Sequence, residues 1–162
     1  MSSPGAAGLD ACLMDADRIL FLCTGNMARS AFAEGYAVLR GIPLPVSSAA
    51  TRYRNGRLLP ETARALRRLD TPESWLRGFR STHLEDVLAE LPERTLVLGM
   101  ARGHVEACGG RPELRARAFL LASVLGSDEE IPDPVLDGAD FEDTFERIAQ
   151  CVDVLLTRLR ER

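Results

Sequence analysis

Apolar residues follow two rhythms along the chain. Arg18-Ile19-Leu20-Phe21-Leu22 is a continuous run that stops at Cys23-Thr24-Gly25-Asn26, the pattern of a short strand buried on both faces and closed by a turn. Thr95 to Met100 repeats that pattern, and Pro45 to Ala49 and Ala116 to Leu121 are weaker strand candidates. Elsewhere the apolar positions recur every three or four residues. Phe32, Tyr36 and Leu39 predict a helix over Arg29 to Leu39, ended by Gly41, and Ala63, Leu66 and Leu69 predict another over Pro60 to Leu69. Thr82 to Leu91 and Arg102 to Cys108 also read as helical, with Trp75, Leu76 and Phe79 between helices as packing residues. Phe141, Phe145, Ile148, Val152, Leu155 and Leu159 mark a long final helix over Phe141 to Leu159. Strands alternating with helices predict an α/β layer fold around a mostly parallel sheet.

Composition narrows the picture. The 162 residues suit one domain, with 46% hydrophobic and 27% charged residues in an ordinary globular balance. Residues 1–17 are small and polar and read as a flexible N-terminal extension to a domain spanning 18–162. No apolar run exceeds five residues, so no membrane span is expected. Acids outnumber bases 24 to 20, which gives no reason to expect nucleic acid as a partner. All 20 bases are arginine, which excludes a lysine Schiff base and a lysine-bearing P-loop. Cys12, Cys23, Cys108 and Cys151 are scattered and free of any C-x2-C pair, and His83 and His104 are not spaced as ligands with them. The expectation is a cytoplasmic protein with no disulfide framework, no metal and no cofactor, its two histidines serving as surface or capping residues.

The candidate chemistry lies in Cys23-Thr24-Gly25-Asn26-Met27-Ala28-Arg29-Ser30. The spacing alone is weak, since four cysteines and 20 arginines in 162 residues predict roughly 0.5 chance matches. Cys12 and Arg18 share the spacing, but Asp15 and Asp17 lie between them, no glycine does, and no strand precedes them. Context separates the two loops. A buried strand delivers Cys23 to the carboxyl end of a sheet, where open α/β folds place ligands. Gly25 and Asn26 can adopt the positive φ that turns successive N–H groups toward one point, and a helix N-terminus near Arg29 adds partial positive charge. Together they make a cradle for a tetrahedral dianion, with the Arg29 guanidinium able to grip two oxygens. The same field favours thiolate over thiol at Cys23, poised as an in-line nucleophile. A proton donor for the leaving oxygen is then required, and Asp133, held between Pro132 and Pro134, is the candidate. Asp137, Asp140 and Asp143 read as helix-start and surface acids.

With loop, arginine, serine and late D-P in place, the chain from about Arg18 onward resembles the low-molecular-weight protein tyrosine phosphatase family. Ile19 to Glu34, Ser48-Ala49-Ala50-Thr51, Leu98-Gly99-Met100, and Asp133-Pro134 with Gly138-Ala139-Asp140-Phe141-Glu142 carry the likeness. The resemblance implies a three-layer sandwich with a four-stranded parallel sheet flanked by helices and a phosphate loop after the first strand. It also implies hydrolysis of phosphotyrosine-type phosphomonoesters through a phosphocysteine intermediate without metal. By this resemblance Cys23 is the nucleophile, Arg29 the phosphate clamp and Asp133 the general acid, then base. Thr24, Gly25, Asn26, Met27, Ala28, Arg29 and Ser30 bind phosphate, with Asn26 and Ser30 holding the loop and Ser30 bonding the thiolate. Implied partners are a phosphorylated protein or small phosphomonoester and inorganic phosphate.

The chain departs from the family pattern in several places. Ala28 stands where a second loop cysteine is common, Ala31 replaces a proline, and Val135 replaces an aromatic residue after D-P. Tyr53 is a substitute pocket wall beside Val135, and Arg77 is the candidate replacement for a histidine that steadies the loop asparagine. Three alternatives share the loop. A phosphoarginine phosphatase tends to carry threonine where Met27 stands; a thiol-dependent arsenate reductase needs two further nearby cysteines; a phosphate-binding module needs no turnover.

Overall fold

The computed structural model describes residues 4–162. Helix α1 (Pro4–Asp15) leads into strand β1 (Arg18–Cys23), helix α2 (Arg29–Arg40) and strand β2 (Val46–Ala50). Three short helices follow, α3 (Pro60–Arg68), α4 (Glu73–Gly78) and α5 (Leu84–Val87), and then strand β3 (Thr95–Gly99). Helices α6 (Arg102–Glu106) and α7 (Pro112–Arg115), strand β4 (Ala118–Leu120) and the long helix α8 (Phe141–Glu161) complete the chain. The sheet is four-stranded and parallel in the order β2-β1-β3-β4. The chain leaves β1 for one side of the sheet and later returns on the other. The carboxyl end of β1 is therefore the point where strand order reverses, the position at which such sheets open a crevice.

Alternation along β1 explains the layers. Ile19, Phe21 and Cys23 belong to a core shared with Phe32 of α2 and Phe145, Ile148 and Val152 of α8. Leu20 and Leu22 face the opposite core, with Val105, Cys108 and Leu114. Both faces are covered, which is why β1 and β3 read as unbroken apolar runs. Stacked rings of Phe32 and Phe145, with centroids 4.4 Å apart, join α2 to α8. This fixes the helix that begins at Arg29.

The stretch expected to be a flexible extension contains α1, and this corrects the sequence reading from Pro4 onward; residues 1–3 lie outside the described residues. Leu9 and Leu13 are buried in the main core together with Ala16. Arg117 donates to Cys12 O at 3.1 Å and Asp15 Oδ1 at 2.7 Å, and Arg158 pairs with Asp10 at 3.0 Å. Leu9, Cys12, Leu13 and Ala16 are spaced i, i+3, i+4, i+7, a helical stripe diluted by the weak helix formers Gly5 and Gly8. Thr82 to Leu91 also departs from the single helix expected. His83 instead bridges to Ala50 of the sheet, leaving one turn of α-helix and a 3₁₀ turn over Leu88–Glu90.

Candidate active site

The loop from Cys23 to Arg29 links β1 directly to α2, so sheet and helix together set its shape. Asn26 takes the left-handed conformation at φ 53°. Gly25 does not, and its lack of a side chain serves another purpose. A Cβ there would lie 3.1 Å from Asn55 Nδ2, which donates to Gly25 O at 2.9 Å. The loop is tied down from outside by Leu59 N–H and the Thr62 hydroxyl, which both bond Met27 O at 3.1 and 2.9 Å, and by the Ser81 hydroxyl on Asn26 O at 2.7 Å.

Two donors face the Cys23 sulfur. Asn26 N–H points to Sγ at 3.3 Å, and Ser30 Oγ lies 2.9 Å from it. The direction of the second bond follows from its neighbours. Asn26 Nδ2 donates to Ser30 Oγ at 2.8 Å, so the Ser30 proton is turned toward sulfur. Asn26 Nδ2 also donates to Ser48 Oγ at 2.9 Å, Ser48 donates to Glu34 Oε1 at 2.8 Å, and Trp75 Nε1 donates to Glu34 Oε2 at 2.9 Å. Burial raises the Glu34 carboxyl above its ordinary range, against the pull of these hydrogen bonds. Gly35 makes the Trp75 contact possible, because a Cβ there would stand 2.8 Å from the indole. Arg77 does not replace the histidine expected near Asn26. Asn26 Oδ1 accepts from the Thr82 backbone at 2.9 Å, and the Trp75–Glu34 pair supports the chain behind it. Trp75 thus does more than pack.

Arg29 is buried, and its Nη1 donates to Ile131 O at 2.7 Å. Its Nη2 donates to Asp133 Oδ2 at 3.1 Å and Thr24 Oγ1 at 3.3 Å. Asp133 Oδ1 accepts from Val135 N–H at 2.8 Å and Leu136 N–H at 3.3 Å, an Asx-type turn. Asp137 is exposed, as expected from sequence, yet it also holds the loop. Its Oδ2 accepts from Asp133 N–H at 3.0 Å while its own N–H bonds Asp133 O at 2.8 Å, so it staples the acid loop. Asp140, by contrast, caps α8 as expected, accepting from Asp143 N–H.

A cavity of about 200 Å³ opens over this cluster, with Cys23, Arg29 and Asp133 in its lining. Thr24, Gly25, Met27 and Ala28 line it too, as do Tyr53 and Val135. Leu136 and Asn55 are further lining residues that sequence reasoning missed. Tyr53, Val135 and Leu136 are large apolar side chains that remain exposed, giving the mouth an apolar rim. Among the described residues no group of three or more His, Cys, Asp or Glu is placed to hold a metal ion.

His104 is the least expected member of the site. It is buried rather than on the surface. Its Nδ1 accepts from Ala101 N–H at 2.9 Å, so the proton sits on Nε2, which lies 3.0 Å from Thr24 Oγ1. Burial, with the nearby Arg29 charge, pushes the imidazole down to about 4. The Thr24 hydroxyl therefore receives from His104 and Arg29 and keeps its own proton to give to a ligand. Cys108 and Cys151 are pushed up to about 11 by burial, and they sit in the two opposite cores. Neither lines the cavity.

A parallel α/β sheet that delivers cysteine and arginine into one anion-ready loop, with a carboxylate facing them, defines a class of small phosphatases. The chain belongs to the family described as low molecular weight phosphotyrosine protein phosphatase, which it matches over residues 18–162, and it is an enzyme of that kind. It is 28% identical over 142 residues to the low molecular weight protein-tyrosine-phosphatase PtpB of Staphylococcus epidermidis, covering 84% of this chain and 94% of that one. The tyrosine phosphatase Wzb of Escherichia coli K30, solved with sulphate, superposes with a TM-score of 0.73 at 28% identity, over 90% of this chain and 99% of that one. The YwlE arginine phosphatase of Geobacillus stearothermophilus superposes with a TM-score of 0.75 at 26% identity, over 89% and 93%.

Proposed function

We propose that the protein hydrolyses phosphotyrosine-type monoesters in two steps through phosphocysteine. The Cys23 thiolate attacks phosphorus in line with the P–O bond to the phenol, which breaks as the S–P bond forms. Loop N–H groups, the Thr24 hydroxyl and Arg29 hold the equatorial oxygens where charge accumulates. Asp133 gives its proton to the leaving phenolic oxygen. As a carboxylate it then takes a proton from water, whose oxygen attacks phosphorus, breaks the S–P bond and releases inorganic phosphate with Cys23 restored.

The observation that carries this reading is the convergence of Cys23, Arg29 and Asp133 on one cavity, with two donors already on the sulfur. Substrate class rests on less. The tyrosine phosphatase and the arginine phosphatase are alike in fold distance, so the lining must discriminate. The apolar Met27 and the rim of Tyr53, Val135 and Leu136 favour an aromatic ester over a guanidinium phosphoramidate. No described helix is long and apolar enough to cross a membrane. The four free cysteines suit a reducing cytoplasm, where the Cys23 thiol persists.

Turnover of a small aryl phosphate tests the proposal. Activity is expected without added metal and unchanged by a chelator, and Cys23→Ser abolishes turnover while phosphate binding persists. Full activity in Cys23→Ser removes the sulfur from the mechanism. Phosphate binding without turnover in the unaltered protein returns the site to a binding module.

A further inference from the structure

Beside the catalytic cavity lies a second cleft of about 260 Å³ with an unusual lining. Its floor is apolar, made by Leu58, Leu76 and Phe79, and its walls are four arginines, Arg57, Arg67, Arg77 and Arg80. Arg67 is paired with Glu73 at 2.9 Å. Arg57, Arg77 and Arg80 have no carboxylate partner among the described residues. Arg80 is nevertheless held in place, its Nη1 donating to Arg77 O at 2.9 Å and Phe79 O at 2.6 Å. An arginine surplus in the whole sequence does not account for this. Residues 52–81 carry eight arginines and three acids in a chain whose net charge is −4.

The cleft is tied to the phosphate loop through backbone. Arg57 lies two residues from Asn55 and two from Leu59, which bond Gly25 O and Met27 O. Arg80 precedes Ser81, which bonds Asn26 O and Gly56 O. Two residues of chain span at most ~7 Å. An extended peptide whose phosphorylated side chain enters the catalytic cavity would thus carry a residue a few positions away into the cleft. An apolar floor walled by guanidinium groups, three of the four without a carboxylate partner among the described residues, suits a carboxylate on a short aliphatic stem, gripped by two-pronged hydrogen bonds.

We propose that this cleft is a docking subsite for acidic side chains flanking the phosphorylated residue, so that the enzyme prefers acidic segments of phosphorylated proteins; this rests on the catalytic reading above. Attraction of this kind acts at the surface and is screened by salt.

The test compares phosphotyrosine peptides whose flanks carry glutamate or lysine at successive positions on either side, with a small aryl phosphate as the reference substrate. Glutamate flanks are expected to raise kcat/KM by about tenfold at low salt, the worth of one charge-assisted hydrogen bond, and the gain should narrow at high salt. In Arg77→Glu/Arg80→Glu the preference disappears or inverts, while kcat/KM for the aryl phosphate stays unchanged. The milder Arg77→Gln/Arg80→Gln shows the same loss if charge reversal unfolds the segment. Equal rates for both flanks with normal aryl phosphate turnover overturn the docking site alone. Equal loss for peptide and aryl phosphate in both double variants also overturns it, because the arginines would then be structural. An unaltered enzyme that turns over neither phosphotyrosine peptide nor aryl phosphate overturns the catalytic reading and the docking site with it.

Discussion

Arg29 Nη2 donates to Asp133 Oδ2 at 3.1 Å, joining the phosphate loop to the acid loop 104 residues further along the chain. Both side chains are mostly withdrawn from solvent, at 4% and 12% exposure. The pair explains how one loop can serve both ends of the reaction. In the proposed reaction a phosphoryl group would take up the Arg29 fork that Asp133 Oδ2 now occupies, while the Asx turn keeps Oδ1 fixed by Val135 and Leu136 N–H.

Asp133→Asn is expected to lower kcat by ~10²–10⁴-fold, the worth of a positioned general acid. The loss should shrink for aryl phosphates with acidic phenols, which depart without help. A plot of rate against leaving-group acidity checks this, and an unchanged slope in Asp133→Asn would move the acid elsewhere.

Asp137→Asn acts differently. It weakens the bond that orients Asp133 N–H, so kcat should fall by less than in Asp133→Asn, by about tenfold if ~1 kcal/mol of loop order is lost. Leaving-group dependence should stay as in the unaltered enzyme. Measuring both variants on one substrate series separates positioning from proton transfer.

Much of this architecture is legible in the sequence, for physical reasons. β1 and β3 are buried on both faces, so their apolar runs are continuous, and Cys23, Asn26, Arg29 and Ser30 sit in a local segment whose chemistry depends on adjacent residues. What escaped reading is built from distant contacts. His104 reaches Thr24 across 80 residues, and Trp75 reaches Glu34 across 41. Neither has a local signal beyond a polar residue on a short helix. Asp137 looks like any turn acid until its bonds to Asp133 are seen, and α1 hides its stripe among glycines and alanines.

His104 makes stability depend on pH. The unfolded imidazole takes a proton below its ordinary 6.5, while the folded one resists to about 4. The unfolded state therefore binds more protons in that window, and stability falls as pH drops through it, by up to ~3 kcal/mol. Glu34 works with the opposite sign, since its raised carboxyl makes stability fall as pH rises above the ordinary 4.5. Denaturant unfolding of His104→Asn against pH should show a flatter acid side. At neutral pH the same variant should lose kcat because Thr24 loses a donor.

Truncating α1 tests its place in the core. Leu13→Ala, at a position 4% exposed, should cost ~2–5 kcal/mol of unfolding free energy. Below the unfolding temperature kcat should be unchanged, because α1 does not contribute to the cavity lining. Unaltered stability would mean that the helix is undocked in solution.

The central claim is a covalent phosphoryl group on Cys23. Rapid quenching in detergent at neutral to alkaline pH, where an S–P bond survives, during turnover of a radiolabelled aryl phosphate, followed by peptide mapping at that pH, tests it directly. The label is expected on the peptide containing Cys23. It should accumulate when Asp133→Asn slows hydrolysis of the intermediate and be missing from Cys23→Ala. Label on another residue, or label that persists in Cys23→Ala, would contradict the account.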